Sequence, residues 1–242
     1  MENYNDNLEY QNQTKTLANS FVANVFMWMF VALGITALTA YLFGTSEELF
    51  RMLISVKPNG SVTMSILGWI VMLSPFLIIL VMSFGAEKMS ASTMVILYVA
   101  YSVLMGMSLS FIFLAFTSAS IFKTFIITAG MFGIMAVVGY TTKTDLSSMG
   151  KILFMALIGL IIATVVNLFL RNDALMMILS YIGVIIFIGL TAWDSQKIKL
   201  MLMQAPDAGE TAQKMALLGA LTLYLDFVNL FIYLLRIFGR RR

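Results

Sequence analysis

The sequence contains no cysteine and no histidine. Their absence excludes disulfide bonds, thiol nucleophiles, zinc sites built from Cys and His, and every Ser-His or Cys-His catalytic mechanism. Haem ligation by histidine is excluded for the same reason. Acidic side chains are therefore the groups left to titrate near neutral pH, provided that their surroundings favour the protonated form.

Charged residues are also scarce. They make up 11% of the 242 residues, whereas 60% are hydrophobic and the mean hydropathy is +0.93. Soluble domains carry about 25% charged residues, so this composition indicates an integral membrane protein. The apolar runs are continuous rather than alternating, which favours spanning helices over an outer-membrane barrel. The length leaves no room for a soluble enzymatic module, so we expect a protein that is not an enzyme.

The net charge of +3 arises largely from the C-terminal residues Arg240 to Arg242. At the end of a membrane protein such a tail indicates contact with the lipid bilayer, and we expect no nucleic-acid partner. The first twenty residues are rich in Asn and Gln and lack the basic segment of a cleavable signal peptide. We therefore expect a mobile polar tail over residues 1–20 and a single membrane domain over residues 21–242.

Seven apolar runs are long enough to cross the hydrocarbon core, which takes about 20 helical residues. Lysines are more frequent in the loops that lie on the same side of the membrane as the N-terminus, which predicts a cytoplasmic N-terminus. The C-terminal arginines oppose this orientation. The fold class expected is an all-α integral membrane protein with seven transmembrane helices. The runs cover residues 21–43, 63–85, 92–116, 121–140, 150–170, 175–199 and 215–237.

Small residues recur at four-residue spacing in three of the runs, a pattern typical of closely packed membrane helices. We expect the third, fourth and fifth helices to contact their neighbours through these residues. They are Ser102, Gly106 and Ser110 in the third run, Ala129 and Gly133 in the fourth, and Gly159, Ala163 and Asn167 in the fifth.

Two carboxylates lie inside the last two apolar runs, Asp194 in the sixth and Asp226 in the seventh. A carboxylate in hydrocarbon costs several kcal/mol unless it is paired, hydrated or protonated. The helical rise places both in the same half of the bilayer, so contact between them is feasible. Such a pair would titrate as a unit and, when ionised, offer oxygens that calcium accepts. The alternative is that each aspartate hydrogen-bonds its neighbours, for example Asp226 to Tyr224 or Tyr233.

Further polar side chains share a helix face with each aspartate. On the seventh run the spacing is i, i+4, i+7, i+11, which places four polar residues in one stripe. A polar stripe on a spanning helix faces protein or water rather than lipid, so we expect the seventh helix to lie centrally, surrounded by the other six. The supporting polar residues predicted in this way are Thr191 beside Asp194, and Thr222, Asn229 and Tyr233 beside Asp226.

Three stretches carry a resemblance to a known family: residues 190–199, residues 223–239, and residues 139–147 at the end of the fourth run. In them the chain resembles the Bax inhibitor-1 family, also called the transmembrane Bax inhibitor motif proteins, in its bacterial YccA/YetJ-like branch. The resemblance implies six helices around a central seventh, location in the inner membrane, and a pH-sensitive calcium leak. It assigns the pH-sensing pair and transient calcium binding to Asp194 and Asp226. Protons and calcium are then the expected ligands, with no further cofactor.

The chain departs from the family at the end of the second run. The calcium-leak branch has a basic cluster there that supplies an arginine to the aspartate pair, whereas this sequence has Glu87 and Lys88. A lysine offers a point charge without the two-pronged donor geometry of arginine. We expect Glu87 and Lys88 to form the gate or the acidic entrance of the pathway.

Two alternatives stay open. Intramembrane aspartyl proteases also carry two acids on consecutive helices, and Trp193-Asp194 weakly resembles their first motif, but the glycines and the Pro-Ala-Leu that follow are missing here. Bacterial members of the family also resemble modulators of a membrane-bound AAA protease, which the polar tail over residues 1–20 would contact. We expect the calcium leak, with a membrane protease as partner under the second alternative.

Overall fold

The computed structural model describes residues 2–57, 61–203 and 209–241, and for residues 2–20, 202 and 203 it describes the backbone alone. Within these ranges the chain forms nine helices and one pair of short strands. The elements are α1 (Glu2–Thr45), α2 (Glu47–Leu53), β1 (Ile54–Val56), β2 (Val62–Met64), α3 (Ile66–Gly85), α4 (Ala91–Leu109), α5 (Ile112–Ala115), α6 (Ser118–Thr141), α7 (Ser147–Leu170), α8 (Asp173–Met203) and α9 (Glu210–Phe238).

Seven helical segments of the described chain are long and apolar enough to cross a membrane, so the protein is all-α and integral to the membrane, as predicted. The sequence placed all seven because apolar length alone sets a span. The third span consists of α4 and α5, and the last begins five residues earlier than expected. The spans are Phe21–Thr45, Ile66–Gly85, Ala91–Ala115, Ser118–Thr141, Ser147–Leu170, Asp173–Met201 and Glu210–Phe238.

The connection between the first two spans contains a short helix and a strand pair that the sequence did not predict. The strands β1 and β2 run antiparallel, with Ser55 opposite Thr63. The Ser65 hydroxyl donates a hydrogen bond to the Met52 carbonyl oxygen at 2.6 Å, which holds the start of α3 against the end of α2. Strands of three residues fall below the length at which hydrophobic alternation becomes visible.

The chain forms two compact units. The single membrane domain expected over residues 21–242 and the mobility expected of residues 1–20 stay predictions. The backbone of that N-terminal segment is helical from Glu2 and continuous with the first span. Among the described residues, the first unit consists of 2–22, 117–203 and 222–241, and the second consists of 23–57, 61–116 and 209–221.

In the second unit, α4 packs against α1 through small residues, as predicted. The Thr36 hydroxyl donates to the Ser102 carbonyl oxygen at 2.8 Å, and a Cβ on Gly106 would lie 2.6 Å from the Thr36 carbonyl oxygen. The same prediction is wrong for Gly133 in α6 and Gly159 in α7. Both are exposed, and no described residue lies within 4 Å of a Cβ built on either.

The last span is the most buried and also the least apolar. In the 18-residue apolar stretch of this span, 67% is buried, against 11% to 39% in the corresponding stretches of the other six spans. Its mean hydropathy of 1.8 is the lowest of the seven. A helix that contacts protein on most sides needs less apolar surface than one that faces lipid. A seventh helix in the predicted central position would have to be largely buried, and α9 is.

Candidate functional site

The structure brings Asp194 and Asp226 together. Asp194 lies in α8 and Asp226 in α9, and their carboxyl groups are in side-chain hydrogen-bonding contact. Both residues are buried, with 6% and 5% of their surface exposed. The contact between the two aspartates, which the sequence showed to be feasible, is therefore present. The pH-sensing role of the pair stays a prediction.

The helices α8 and α9 pack antiparallel along one face of each. On α8 the contacting residues are spaced i, i+11, i+18, which is one side of a helix. Gly183 lies on the same side, and the absence of a side chain there leaves room for the Tyr233 ring. The contacting pairs, from one end to the other, are Met176 with Arg236, Phe187 with Tyr233, and Asp194 with Asp226.

Protein groups satisfy the aspartate pair only in part. The Oδ2 atom of Asp226 is buried and has no hydrogen-bond partner among the described residues. The charge of Lys197 acts on Asp194, but the Lys197 side chain is exposed and its Nζ atom lies over the Trp193 ring, 5.2 Å from the centroid. Two buried carboxylates in contact repel each other unless a proton or a cation lies between them. The pair therefore has the chemistry of a proton-binding or cation-binding site.

The predicted supporting residues mostly bond to their own helices. The Thr191 hydroxyl donates to the Phe187 carbonyl oxygen at 2.7 Å, and the Asn229 amide donates to the Leu225 carbonyl oxygen at 2.8 Å. Tyr233, an alternative partner considered for Asp226, stacks on Phe187 with ring centroids 5.9 Å apart. Thr222 is half-buried, like Asn229 and Tyr233, whereas Thr191 is buried. Their role as a supporting polar face stays a prediction.

Two glycines bring α6 and α7 close to the turn of α8 that carries Asp194. A Cβ on Gly139 of α6 would overlap the carbonyl oxygen of Ala192, and a Cβ on Gly150 of α7 would overlap the Trp193 ring. Both glycines are buried. Glycine permits this approach because it has no side chain, as in other close helix crossings in membranes. The backbone around Asp194 is thus fixed from two sides.

Two further side chains, just after Asp194 in α8, bind the end of α6 and the loop between α6 and α7. The buried Gln196 amide accepts a hydrogen bond from the Leu146 N–H and donates one to the Thr144 carbonyl oxygen, both at 2.8 Å. The Lys199 ammonium donates to the Tyr140 carbonyl oxygen at 2.8 Å. These roles were not predicted from the sequence. Two features of the sequence could have indicated them: Gln196 is a polar residue near Asp194 within an apolar run, and residues 139–147 are one of the three stretches that carry the family resemblance.

A Gln196→Leu substitution is expected to destabilise the protein by about 2 kcal/mol, because it leaves the Leu146 N–H and the Thr144 carbonyl oxygen without their partner. The measurement is the Tm of the purified protein in detergent. Gln213→Leu replaces an exposed glutamine and serves as the control that leaves the Tm unchanged. An unaltered Tm in Gln196→Leu would show that these two hydrogen bonds do not hold the loop.

Glu87 and Lys88 are exposed and lie in the turn that follows α3 in the second unit. Their predicted role as gate or entrance stays a prediction. The described part of the chain holds no group of three or more Asp, Glu, His or Cys side chains arranged for a metal ion. Calcium takes about six to eight oxygen ligands, so backbone carbonyls and water would complete its coordination beside the two aspartates.

Asp145 lies two residues before the start of α7, outside the membrane spans, and bonds the first N–H of that helix. Its Oδ1 atom accepts a hydrogen bond from the Ser147 N–H at 2.9 Å. The hydrogen bonds from Ser147, and to a smaller extent the charge of Lys151, lower the pKa of the Asp145 carboxyl from its ordinary value of 3.8. Since the ionised carboxylate is the better acceptor, the hydrogen bond from the Ser147 N–H is strongest above pH 3.8.

An Asp145→Ala substitution is expected to lower the Tm slightly at pH 7. A carboxyl whose pKa is lowered by folding contributes stability above its ordinary pKa and loses it as the pH falls through the lowered value. The difference in Tm between Asp145→Ala and Asp145→Asn should therefore be independent of pH, while wild type should approach Asp145→Asn below pH 3.8. A wild-type advantage that persists at pH 2 would contradict this assignment.

These features define a class of protein: a multi-pass helical membrane protein with a pair of ionisable residues buried between its last two helices. A family profile described as "Inhibitor of apoptosis-promoting Bax1" matches residues 18–242. The chain belongs to this Bax inhibitor-1 family, as its sequence predicted, and it is a multi-pass protein of the inner membrane.

Several bacterial proteins are similar to the chain over nearly their whole length. The inner membrane protein YbhL of Escherichia coli K12 is 45% identical over 232 residues, which is 95% of each chain. RP147 of Rickettsia prowazekii, described as uncharacterized, is 39% identical over 245 residues and covers both chains fully. An uncharacterized protein of Borreliella burgdorferi is 42% identical over 235 residues, which is 97% of this chain and 98% of the relative.

Proposed function

We propose that the protein is a passive calcium leak of the inner membrane, regulated by protons and without enzymatic activity. The observation that carries the proposal is the contact between the buried carboxyl groups of Asp194 and Asp226. Ionisable side chains inside a membrane are costly, and they mark ion and proton pathways. Membership of the family whose resemblance implied such a leak supports the same function.

In this mechanism the aspartate pair acts as one titrating unit. While the two carboxyl groups share a proton, their mutual repulsion is reduced and the contact between α8 and α9 holds. When the proton leaves, two negative charges repel across a medium of low dielectric constant, so the contact weakens or a divalent cation replaces the proton. Calcium fits because it accepts carboxylate, carbonyl and water oxygens in flexible geometry. Protons and calcium therefore compete for the same two side chains.

The test is calcium flux into proteoliposomes that contain the purified protein, measured between pH 5 and 8. Asp194→Asn and Asp226→Asn are each expected to lower the flux by about tenfold or more and to flatten its pH dependence, since intramembrane acids of this kind are functional. Asp145→Asn removes a carboxylate outside the spans and should leave both properties unchanged. Wild-type flux and pH dependence in both pair variants would refute the proposal.

A second candidate function, modulation of a membrane-bound protease, rests on the N-terminal segment. The α1 backbone is helical from Glu2, well before the span begins at Phe21. A helical extension of that length offers a surface for a partner protein. Deletion of residues 1–20 would then abolish protease binding and leave calcium flux intact. For the aspartyl protease alternative, cleavage of a transmembrane peptide that depends on both aspartates would be decisive.

A further inference from the structure

Arg236 is a half-buried cation in the last turn of α9. Its Nη1 atom donates to the sulfur of Met176 at 3.3 Å, and its guanidinium lies over the Tyr233 ring, 5.5 Å from the centroid. A thioether is a weak acceptor and guanidinium has five N–H donors, so most of its hydrogen-bonding capacity is unused. Arg236 lies ten residues from Asp226, about 15 Å along the helix, and so does not neutralise the aspartate pair.

No carboxylate of the described chain forms an ion pair with Arg236. The surrounding end of the first unit, where α6 and α8 begin and α7 and α9 end, is strongly basic. Asp173, exposed at the start of α8, is the one described carboxylate at this end of the unit. The cations there, which we call the basic cluster, are Lys123, Arg171, Arg236, Arg240 and Arg241.

The chain after α9 folds back onto the start of α6, which brings Arg240 near Lys123. The Arg240 N–H donates to the Ser120 hydroxyl at 2.8 Å, and the Arg240 carbonyl oxygen accepts from the Thr117 N–H at 3.2 Å. These bonds hold Arg240 at the start of α6, one turn from Lys123. Five cations at one end of a unit that has a single described carboxylate there leave an excess of positive charge, which favours the binding of an anion.

The depth of the basic cluster matches the head-group layer of a bilayer. Arg236 lies two residues before the end of the last span, and Arg171 directly follows the end of α7. Exposed apolar side chains lie immediately beside these arginines on the same helices. Phe169 is 81% exposed, Leu170 62% and Phe238 60%. Such neighbours fit acyl chains on one side and phosphate groups on the other.

We propose that the basic cluster binds an anionic phospholipid, with the lipid phosphate on the guanidinium of Arg236. Arginine suits this ligand because its planar fork donates two parallel hydrogen bonds to phosphate oxygens. Arg171, Arg240 and Arg241 supply the surrounding positive charge. The apolar neighbours favour a phospholipid over a soluble phosphate, since a soluble anion gains nothing from them.

The test is native mass spectrometry of the full chain in detergent, titrated with phosphatidylglycerol. Wild type should retain bound phosphatidylglycerol more tightly than phosphatidylcholine. Arg236→Gln should weaken binding by about fivefold or more, the equivalent of about 1 kcal/mol for one arginine near anionic lipid. Arg236→Lys should fall between the two, because it keeps the charge and loses the fork. Arg51→Gln, at an exposed arginine paired with Glu47 in the second unit, is the control with wild-type affinity.

Three results would overturn the proposal. The first is an unchanged phosphatidylglycerol affinity in Arg236→Gln. The second is displacement of the bound lipid by millimolar inorganic phosphate, which would indicate a site for soluble anions. The third applies if Arg236→Gln fails to fold, in which case the double variant Arg240→Gln/Arg241→Gln replaces it, because it leaves the α8–α9 contact intact. This double variant is expected to bind the lipid more weakly. Wild-type affinity in the double variant would refute the basic cluster as the site.

Discussion

A Gly139→Ala substitution is expected to destabilise the protein by about 2–3 kcal/mol, which lowers the Tm by about 5–10 °C. The added Cβ would overlap the carbonyl oxygen of Ala192, a backbone atom that cannot rotate away. The helices α6 and α8 would have to separate at the turn that precedes Asp194. Ala192 lies two residues before that aspartate, so the calcium flux and its pH dependence should change together with the Tm.

The control for Gly139→Ala is Gly133→Ala in the same helix. Gly133 is exposed, and no described residue lies within 4 Å of a Cβ built there. Alanine is the better helix former by about 1 kcal/mol in water, so this variant should be neutral or slightly more stable. Thermal unfolding of both purified variants in one detergent makes the comparison. Equal Tm values for the two would show that α6 and α8 do not meet at Gly139.

Replacing both aspartates at once is expected to cost no more calcium flux than replacing either one. The reason is that Asp194 and Asp226, in contact and both buried, are proposed to hold one proton or one cation between them. Residues that act as a unit lose their joint function when one is removed, so the second loss adds little. The double variant Asp194→Asn/Asp226→Asn should therefore show about the same tenfold loss as each single variant.

Initial rates of calcium uptake by proteoliposomes, at one calcium gradient and at several pH values, provide this measurement. Size-exclusion profiles and Tm values of the three variants establish that each is folded, since asparagine preserves the shape of aspartate. Independent sites would multiply their effects, giving about a hundredfold loss in the double variant. That outcome would assign the two carboxylates to separate steps and remove the shared-proton mechanism.

The sequence was a good guide to which residues lie in the membrane and to the two acids. Each apolar run is a local property of the chain, and a carboxylate within such a run stands out wherever the helix is placed. The expected depth of the two acids in the bilayer also followed from local information, since both are counted from the same loop. Their contact is present in the structure, although the sequence established only that it was feasible.

The sequence was a poor guide to which helix faces touch. Four-residue spacing of small residues selected Gly106 correctly, but it also selected Gly133 and Gly159, which are exposed. The glycines that do approach α8, Gly139 and Gly150, stand outside that pattern. Lipid tails are as apolar as leucine, so a small or apolar side chain is accepted on either side of a membrane helix.

Hydropathy and the rarity of acids within a membrane located seven spans and both aspartates, because each signal is contained in one stretch of chain. Two features depend on how the helices pack: the fixing of the backbone around Asp194 by Gln196 and the glycines, and the lack of an ion pair between Arg236 and any described carboxylate. These features depend on residues that are distant in sequence. The sequence of a membrane helix carries no hydrophobic pattern that would predict these contacts, because lipid covers an apolar helix face as well as a neighbouring helix does.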